Sequence, residues 1–180
     1  FNEARYSIYM GMRRLSIIDL STGNQPIYSE DQSKVIVFNG EIYNYKVLKD
    51  QLIAQGCEFN TNSDTEVILK LYEKEGVKSF GKLDGMFAFV VVDGDDFIVG
   101  RDPLGIKPLY YGIDERGRYY FASEMKSIAD QCKTFSTFPP GHYYTNKTGF
   151  VKYYKPEWED DLKAVEELDY TAIKETLTEA

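Results

Sequence analysis

The chain has 180 residues, of which 43% are hydrophobic and 15% aromatic, so it can bury one sizeable core and is not a disordered tail. Its formal net charge of −8 argues against a nucleic-acid backbone or an anionic membrane surface as the partner. The two cysteines, Cys57 and Cys132, form neither a disulfide framework nor the paired spacing of a zinc site, so we expect reduced thiols, no metal and a cytoplasmic location.

Hydrophobic periodicity and turn residues predict an alternation of strands and helices along the chain. In the first half, the predicted strands are residues 6–18, 27–28 and 35–38, and the predicted helices are 44–55 and 63–76. In the second half, the predicted strands are 86–92, 97–100, 109–111 and 119–123, followed by a short helix over 124–130, a hairpin around 146–149 and a helix over 169–180. This order indicates an α+β fold with two sheets and helices outside them.

Three local signals sharpen these predictions. Gly56 follows the first helix and is typical of the residue that ends a helix. Ser63 with Glu66 three residues later predicts a capping box at the start of the second helix. The near-continuous apolar run over 86–92 predicts a strand that is buried on both faces.

Polar residues at the end of the apolar run 35–38 are the first candidates for a functional site. Asn39 offers a side-chain amide donor, Gly40 allows a backbone N–H to approach a ligand, and Glu41 adds a carboxylate. Two neighbouring donors suit the oxyanion of a reacting carbonyl. The alternative is a simple turn, because Asn-Gly is the commonest hairpin dipeptide.

Three other residues are weighed beside them. Arg14 can clamp a carboxylate, or it can be a solvent-exposed arginine at a strand end. Asp64, in the first turn of a helix, can hold an ammonium group, or it can simply favour the helix dipole there. His142, the only histidine, follows Pro-Pro-Gly and is predicted to be a turn residue rather than a catalytic one. Taken together, the candidates suit a free amino acid with a carbonyl at its far end.

These residues lie in motifs that resemble a known family. The motifs are RLSIID at 14–19, NGEIYN at 39–44, SDTE at 63–66, GMFAF at 85–89, GRDPLGIKPLY at 100–110 and FASE at 121–124. They resemble the glutaminase domain of the glutamine-hydrolysing asparagine synthetases, which are class II glutamine amidotransferases of the N-terminal-nucleophile hydrolase type. The resemblance covers most of residues 6–155.

The resemblance implies a four-layer αββα sandwich that hydrolyses L-glutamine to glutamate and ammonia. It implies that Arg14 holds the α-carboxylate with a backbone contact from Ile17, that Glu41 and Asp64 hold the α-amino group, and that Asn39 and Gly40 form the oxyanion hole. Ammonia would pass to a C-terminal synthetase domain that uses ATP and magnesium to activate aspartate, so no cofactor is expected in residues 1–155. A homodimer is a further possibility.

The chain departs from the family pattern at both ends. The family's nucleophile is an N-terminal cysteine, whereas this sequence begins at Phe1 and its cysteines are at 57 and 132. We therefore expect residues 1–155 to be an amidotransferase domain without its N-terminal nucleophile segment, inactive alone. Residues 156–180, which begin with an acidic stretch, are expected to be a linker and the first helix of an absent domain.

Two alternatives stay open. One is a degenerate, non-catalytic glutaminase-like module that supports a synthetase domain, as in β-lactam-forming relatives. The other is an amidotransferase that serves amino sugars or purines. The joint presence of Arg14, Asn39, Gly40, Glu41 and Asp64 favours a truncated working site over a degenerate one.

Overall fold

The computed structural model describes residues 8–12, 23–156, 159 and 169–179. The elements in chain order are β1 (Ile27–Tyr28), β2 (Lys34–Ile42), α1 (Tyr45–Ala54), α2 (Asp64–Glu75), β3 (Gly85–Asp93), β4 (Asp96–Arg101), β5 (Tyr110–Ile113), β6 (Tyr119–Ala122), β7 (Thr134–Thr137), β8 (His142–Thr145), β9 (Gly149–Lys152) and α3 (Tyr170–Glu179). Two 3₁₀ helices cover Gly76–Lys82 and Met125–Ser127.

The strands form two antiparallel sheets. The larger sheet has six strands in the order β1-β2-β3-β4-β8-β9, and the smaller has three in the order β6-β5-β7. The pairing of β2 with β3 is the longest, running from Lys34 opposite Asp93 to Ile42 opposite Gly85. The predicted two-sheet α+β arrangement is confirmed.

Helices α1 and α2 cover one face of the six-stranded sheet. Apolar side chains alternate along β2 and β3 so that Ile36, Phe38 and Ile42, with Phe87 and Phe89, point towards these helices and are buried. The helices contribute Leu48, Leu52, Val67, Ile68, Leu69 and Leu71 to the same cluster. Burial of these side chains, at about 1.5–3 kcal/mol each, is the main force that holds the two layers together.

The opposite face of the six-stranded sheet packs against the three-stranded sheet. This second core is aromatic: Phe138 is fully buried, and Tyr111 and Phe121 from the small sheet surround it. Ala88 and Val99 supply the facing side from β3 and β4. Because Phe87, Ala88 and Phe89 are all buried, the centre of β3 is covered on both faces, as its apolar run predicts.

The predicted helices in the first half are confirmed, with one difference in capping. Gly56 follows α1 with a φ of 84°, and its N–H donates to the Ile53 carbonyl at 2.9 Å. Ser63 caps α2 by accepting a hydrogen bond from the Thr65 N–H at 3.2 Å. The reciprocal half of the capping box is absent, because the Glu66 carboxylate accepts from the N–H groups of 60 and 61 instead.

Strand β2 corrects the most important boundary. The sequence predicts that the strand ends before Asn39, but it continues through Asn39, Gly40 and Glu41 to Ile42. The turn interpretation of Asn39-Gly40 is therefore wrong. Pairing along the whole length of β3 overrides the local preference of Asn-Gly for a turn.

Four smaller differences separate the sequence predictions from the structure. The segment 124–130 forms only a 3₁₀ turn at Met125–Ser127, because so short a segment supplies few helical hydrogen bonds. Strand β7 was not predicted, because all four of its side chains are exposed and it has no buried alternation. His142 is the first residue of β8 rather than a turn residue. Residues 8–12 of the predicted first strand are in no strand, since no described strand pairs with them.

Helix α3 is confirmed where it was predicted, and all of its described side chains are exposed. Arg14 and Ile17 lie outside the described residues. No helix within the described ranges is long and apolar enough to span a membrane.

Candidate functional site

The outer edge of β2, the edge that faces away from β3, is the centre of the candidate site. Strand β1 pairs with β2 only at Val35 and Ile36. Beyond that point, no described strand lies beside the edge, so the backbone groups of residues 38–42 that point outward need other partners.

At Phe38 the partner is a side chain. The Phe38 N–H donates to Gln25 Oε1 at 2.7 Å, and Gln25 Nε2 donates to the Phe38 carbonyl at 2.9 Å. The amide of Gln25 thus makes the same pair of hydrogen bonds that a neighbouring strand would make. The backbone of Phe38 is fully satisfied on this edge.

At Ile42 the partner is Asp64, the first residue of α2. The Ile42 N–H donates to Asp64 Oδ2 at 3.1 Å, and the Thr65 N–H donates to Asp64 Oδ1 at 3.0 Å. The residue is only 4% exposed, so the start of α2 is tied directly to the end of β2. Burial raises the pKa of the Asp64 carboxyl, and the hydrogen bonds from Ile42 and Thr65 oppose that rise.

Gly40 lies between these two occupied positions. Backbone groups alternate along a strand, so the Gly40 N–H points to the same edge as those of Phe38 and Ile42. The opposite residue in β3, Phe87, uses its own N–H and carbonyl on Asp102. Within the described part of the chain, the Gly40 N–H is left as a donor on this edge without a partner.

The backbone at Gly40 accepts only glycine. Its φ is +155°, and a Cβ built there would lie 2.1 Å from the Met86 carbonyl oxygen. Gly85, on the partner strand, shows the reciprocal constraint: its Cβ would lie 2.2 Å from the Glu41 carbonyl oxygen. The two glycines let β2 and β3 approach closely beside the open N–H.

The side chains of Asn39 and Glu41 project to the sheet face opposite the helices, since they alternate with the buried Phe38 and Ile42. Asn39 is paired in register with Ala88, which belongs to the core between the two sheets. Both polar side chains are half-buried, and neither has a hydrogen-bond partner among the described residues. An amide donor and a carboxylate are therefore available on one face of the strand.

The structure thus brings four of the six predicted site residues together. Asn39, Gly40 and Glu41 are consecutive in β2, and Asp64 joins them through its hydrogen bond to Ile42. Arg14 and Ile17 fall outside the described residues, so their placement is not part of this geometry.

Sequence reasoning missed two residues that contact this part of β2, one on each side of the strand. Gly85 was seen only as part of a motif, and nothing local indicates that its missing side chain accommodates Glu41. No motif or local pattern indicates a role for Gln25, because its contacts are to residues 13 and 40 positions away. No periodicity in the sequence reports such long-range partners.

Neither cysteine has the surroundings of an activated nucleophile. Both are free thiols. Burial, with a further contribution from the Asp114 charge, raises the pKa of the Cys132 thiol, which is the opposite of activation. Its side chain fills the space beside Gly112 in the small sheet, and Cys57 packs against the core under α1 and α2. Within the described residues, no group of three or more His, Cys, Asp or Glu side chains is arranged to hold a metal ion.

The second long motif, at 100–110, forms a loop held by Asp102. The carboxylate is fully buried and accepts hydrogen bonds from four backbone N–H groups. The donors are Phe87, Leu104, Ile106 and Lys107, at 3.2, 3.1, 2.8 and 3.0 Å. A charged acceptor at the centre of four donors fixes the loop without help from regular secondary structure.

Arg101 complements Asp102 by donating to carbonyls of the same region. Its Nε reaches the Lys107 oxygen at 2.8 Å, Nη2 reaches Gly105 at 2.8 Å, and Nη1 reaches Phe138 at 2.6 Å. The three guanidinium nitrogens of Arg101 and both carboxylate oxygens of Asp102 are hydrogen-bonded inside the protein. Neither side chain is therefore available to a ligand.

Comparison with known proteins identifies the family. The family model of the glutamine amidotransferase domain matches residues 2–164. Asparagine synthetase [glutamine-hydrolyzing] 2 of Arabidopsis thaliana is 48% identical over 153 residues, which are 83% of this chain and 26% of the relative. Asparagine synthetase B of Escherichia coli K12 is 41% identical over 169 residues, covering 92% of this chain and 29% of the relative. The chain therefore spans less than a third of the length of either relative.

Solved structures show the same architecture. Glutamine phosphoribosylpyrophosphate amidotransferase from B. subtilis superimposes with a TM-score of 0.61 at 31% identity, covering 71% of this chain and 30% of that one. An allosteric regulatory enzyme of purine biosynthesis gives a TM-score of 0.64 at 30% identity, covering 73% of this chain and 31% of that one. The fold is the α+β sandwich of the N-terminal-nucleophile hydrolases, and the chain belongs to the glutamine amidotransferase domain family.

Proposed function

We propose that the chain is the glutamine-hydrolysing domain of an asparagine synthetase, releasing ammonia from L-glutamine for transfer to ATP-activated aspartate. The observation that carries the proposal is the Gly40 N–H, which has no partner among the described residues and lies on the edge of β2 between positions filled by Gln25 and Asp64. The similarity to glutamine-hydrolysing asparagine synthetases over most of the chain supports the same assignment.

In this proposal, the open donors receive the amide oxygen of glutamine. When a nucleophile attacks the amide carbon, the electron pair of the C=O bond moves to the oxygen, and the Gly40 N–H and the Asn39 amide stabilise the resulting oxyanion. As the intermediate collapses, the C–N bond breaks, the proton that the nucleophile gave up goes to the departing nitrogen, and ammonia leaves. Water then hydrolyses the acyl intermediate to glutamate and regenerates the nucleophile. Donors held in place before the reaction need no reorganisation, which favours the transition state over the bound substrate.

The α-amino end of glutamine is assigned to the acidic groups. The half-buried Glu41 carboxylate and the Asp64 carboxylate, which begins α2, supply negative charge near the end of β2. We assign the α-carboxylate to Arg14 with a backbone contact from Ile17, following the family motif at 14–19. A guanidinium binds a carboxylate through two parallel hydrogen bonds, which fixes the orientation of the substrate.

The remaining parts of the reaction are assigned to other segments of the whole protein. The family's nucleophile is an N-terminal cysteine, and Cys57 and Cys132 are packed into structural positions instead. We propose that residues 1–155 form the amidotransferase domain and that residues 156–180 lead into a synthetase domain, where ATP and magnesium act. A cytoplasmic location and a possible homodimer complete the proposal.

The test is glutamate release by the whole protein that carries these residues. Asn39→Ala removes one oxyanion donor and is expected to lower kcat about 100-fold. Asn24→Ala is the matched control, because Asn24 is exposed in the loop before β1. Equal turnover by the Asn39 variant and the wild type would refute the assignment. No glutamate release by the wild type would instead support a non-catalytic module.

A further inference from the structure

Gln25 touches both elements that carry the candidate site. Besides its two hydrogen bonds to the backbone of Phe38, its Nε2 donates to Thr65 Oγ1 at 3.3 Å. Phe38 immediately precedes Asn39, and Thr65 immediately follows Asp64. A single side chain therefore links the residue before the oxyanion donors to the residue after the carboxylate.

The contacts are specific to a primary amide. The Phe38 N–H needs an acceptor, whereas the Phe38 carbonyl and Thr65 Oγ1 receive hydrogen bonds from one NH₂ group. A carboxylate has no donor, and a lysine has no acceptor. Among the described residues, this amide is the only group hydrogen-bonded to the outer edge of β2 between the end of β1 and Asp64.

The position of the link also matters. Gly40 lies two residues from Phe38 and two from Ile42, so its N–H direction depends on how the strand is held at both points. Asp64 holds the Ile42 side, and Gln25 holds the Phe38 side. Without Gln25, this edge of the strand would keep only one of its two attachments flanking Gly40.

We propose that Gln25 is a positioning residue for the glutamine site, aligning Asn39 and Gly40 with Asp64 without touching the substrate itself. This inference rests on the proposed function. Oxyanion stabilisation depends on the aim of the donors more steeply than ground-state binding does, so loss of Gln25 acts on kcat more than on KM.

The experiment compares Gln25→Glu and Gln25→Met in the whole protein, with glutamate release as the readout. Gln25→Glu keeps the acceptor for the Phe38 N–H and loses both donations, and Gln25→Met removes all three bonds at similar length. Each variant is expected to lower kcat about 10-fold or more, with KM changed less than about 3-fold. Gln51→Glu is the control, because the same change is made on the exposed face of α1.

The pH dependence of kcat distinguishes a positioning role for Gln25 from a general stabilising role. When the pH is lowered, the carboxyl introduced by Gln25→Glu becomes protonated and regains one donor. The ratio of variant to wild-type kcat is therefore expected to rise as the pH falls, while the ratio for Gln25→Met stays flat.

The outcomes distinguish this inference from the proposed function. No glutamate release by the wild type refutes the function, and with it the role of Gln25. An active wild type with Gln25 variants within about 2-fold in kcat overturns the positioning role alone. Variants that are unfolded at the assay temperature also overturn it, because Gln25 would then be a general stabilising residue.

Discussion

At the outer edge of β2 and in the loop after β4, backbone polar groups lack a neighbouring strand or helix to bond with. The two regions differ in how completely these groups are paired. In both, polar side chains replace a missing strand or helix: the half-buried Gln25 and the buried Asp64 at the edge, and the buried Arg101 and Asp102 in the loop. In the loop, the four donors around Asp102 and the three carbonyls around Arg101 are all used internally. At the edge, the Gly40 N–H has no partner in the part of the chain that the structure describes.

A long family motif is therefore not by itself a functional site. The motif at 100–110 is the longest that resembles the family, yet its buried charged residues, Arg101 and Asp102, make their hydrogen bonds within the fold. The shorter motif at 39–44 is partly structural as well, because Asn44 ties α1 to the carbonyl of Lys82 at 2.9 Å. What marks the functional part is a polar group that the fold holds in place and leaves unused.

The largest effect is expected from a substitution in the loop after β4. Asp102→Ala leaves four buried N–H groups without an acceptor and is expected to lower the free energy of unfolding by about 4 kcal/mol. Urea unfolding measures this loss. Asp95→Ala, in the exposed turn between β3 and β4, is expected to change it by less than about 0.5 kcal/mol. A loss as small for Asp102 would contradict the structural role of the loop.

Next in size is Gly40→Ala at the edge. The added methyl would lie 2.1 Å from the Met86 carbonyl oxygen, so the strands must separate beside the open N–H. We expect a loss of about 3 kcal/mol in unfolding free energy together with loss of glutamine binding by calorimetry. Gly81→Ala is the control, since nothing lies within 4 Å of the added methyl. A stable, glutamine-binding Gly40 variant would disprove the close approach.

A third change tests the charge at the edge. Asp64→Asn keeps one acceptor for the Ile42 N–H but removes the charge proposed to hold the α-amino group. We expect glutamine affinity to fall by about 2 kcal/mol, or about 30-fold, in a calorimetric titration. An unchanged affinity would place the α-amino group elsewhere.

The same variant has a predicted pH signature. Burial raises the pKa of Asp64 above its value in the unfolded chain, so the folded state binds more protons and wild-type stability declines as the pH rises through that window. Asp64→Asn cannot ionise. Its melting temperature relative to the wild type is therefore expected to improve from about pH 4 towards neutrality. A flat or falling difference would show that the hydrogen bonds outweigh burial.

The smallest expected effect concerns a single bond that supports the loop. The Tyr153 hydroxyl donates to the Arg101 carbonyl at 2.7 Å, and burial together with the nearby Asp102 charge raises the pKa of this tyrosine. Tyr153→Phe is expected to cost about 1 kcal/mol in unfolding free energy, with glutamine binding intact. Tyr154→Phe is the neighbouring control, and it is expected to cost nothing measurable. Loss of glutamine binding in the Tyr153 variant would show that loop and edge are coupled.

The sequence by itself determined the class of fold and most of its elements. Apolar periodicity identified α1, α2 and the buried hairpin of β3 and β4, because their side chains alternate or repeat against a core. Side-chain chemistry, rather than periodicity, indicated the candidate site, because the groups suit an amino acid with a distal carbonyl. The candidates were Asn39, Gly40, Glu41 and Asp64. Those inferences depend on residue type and local spacing, which are written in the chain.

Tertiary structure decided what local spacing could not. It carried β2 past Asn39-Gly40, formed the exposed strand β7 by pairing it with β5, and placed Gln25 against Phe38 and Thr65. It also left the Gly40 N–H without a partner among the described residues while closing the loop around Asp102. The physical reason is that the hydrogen-bond partners of a polar group often come from distant parts of the chain. Residue type alone does not show which groups will be paired in the folded protein.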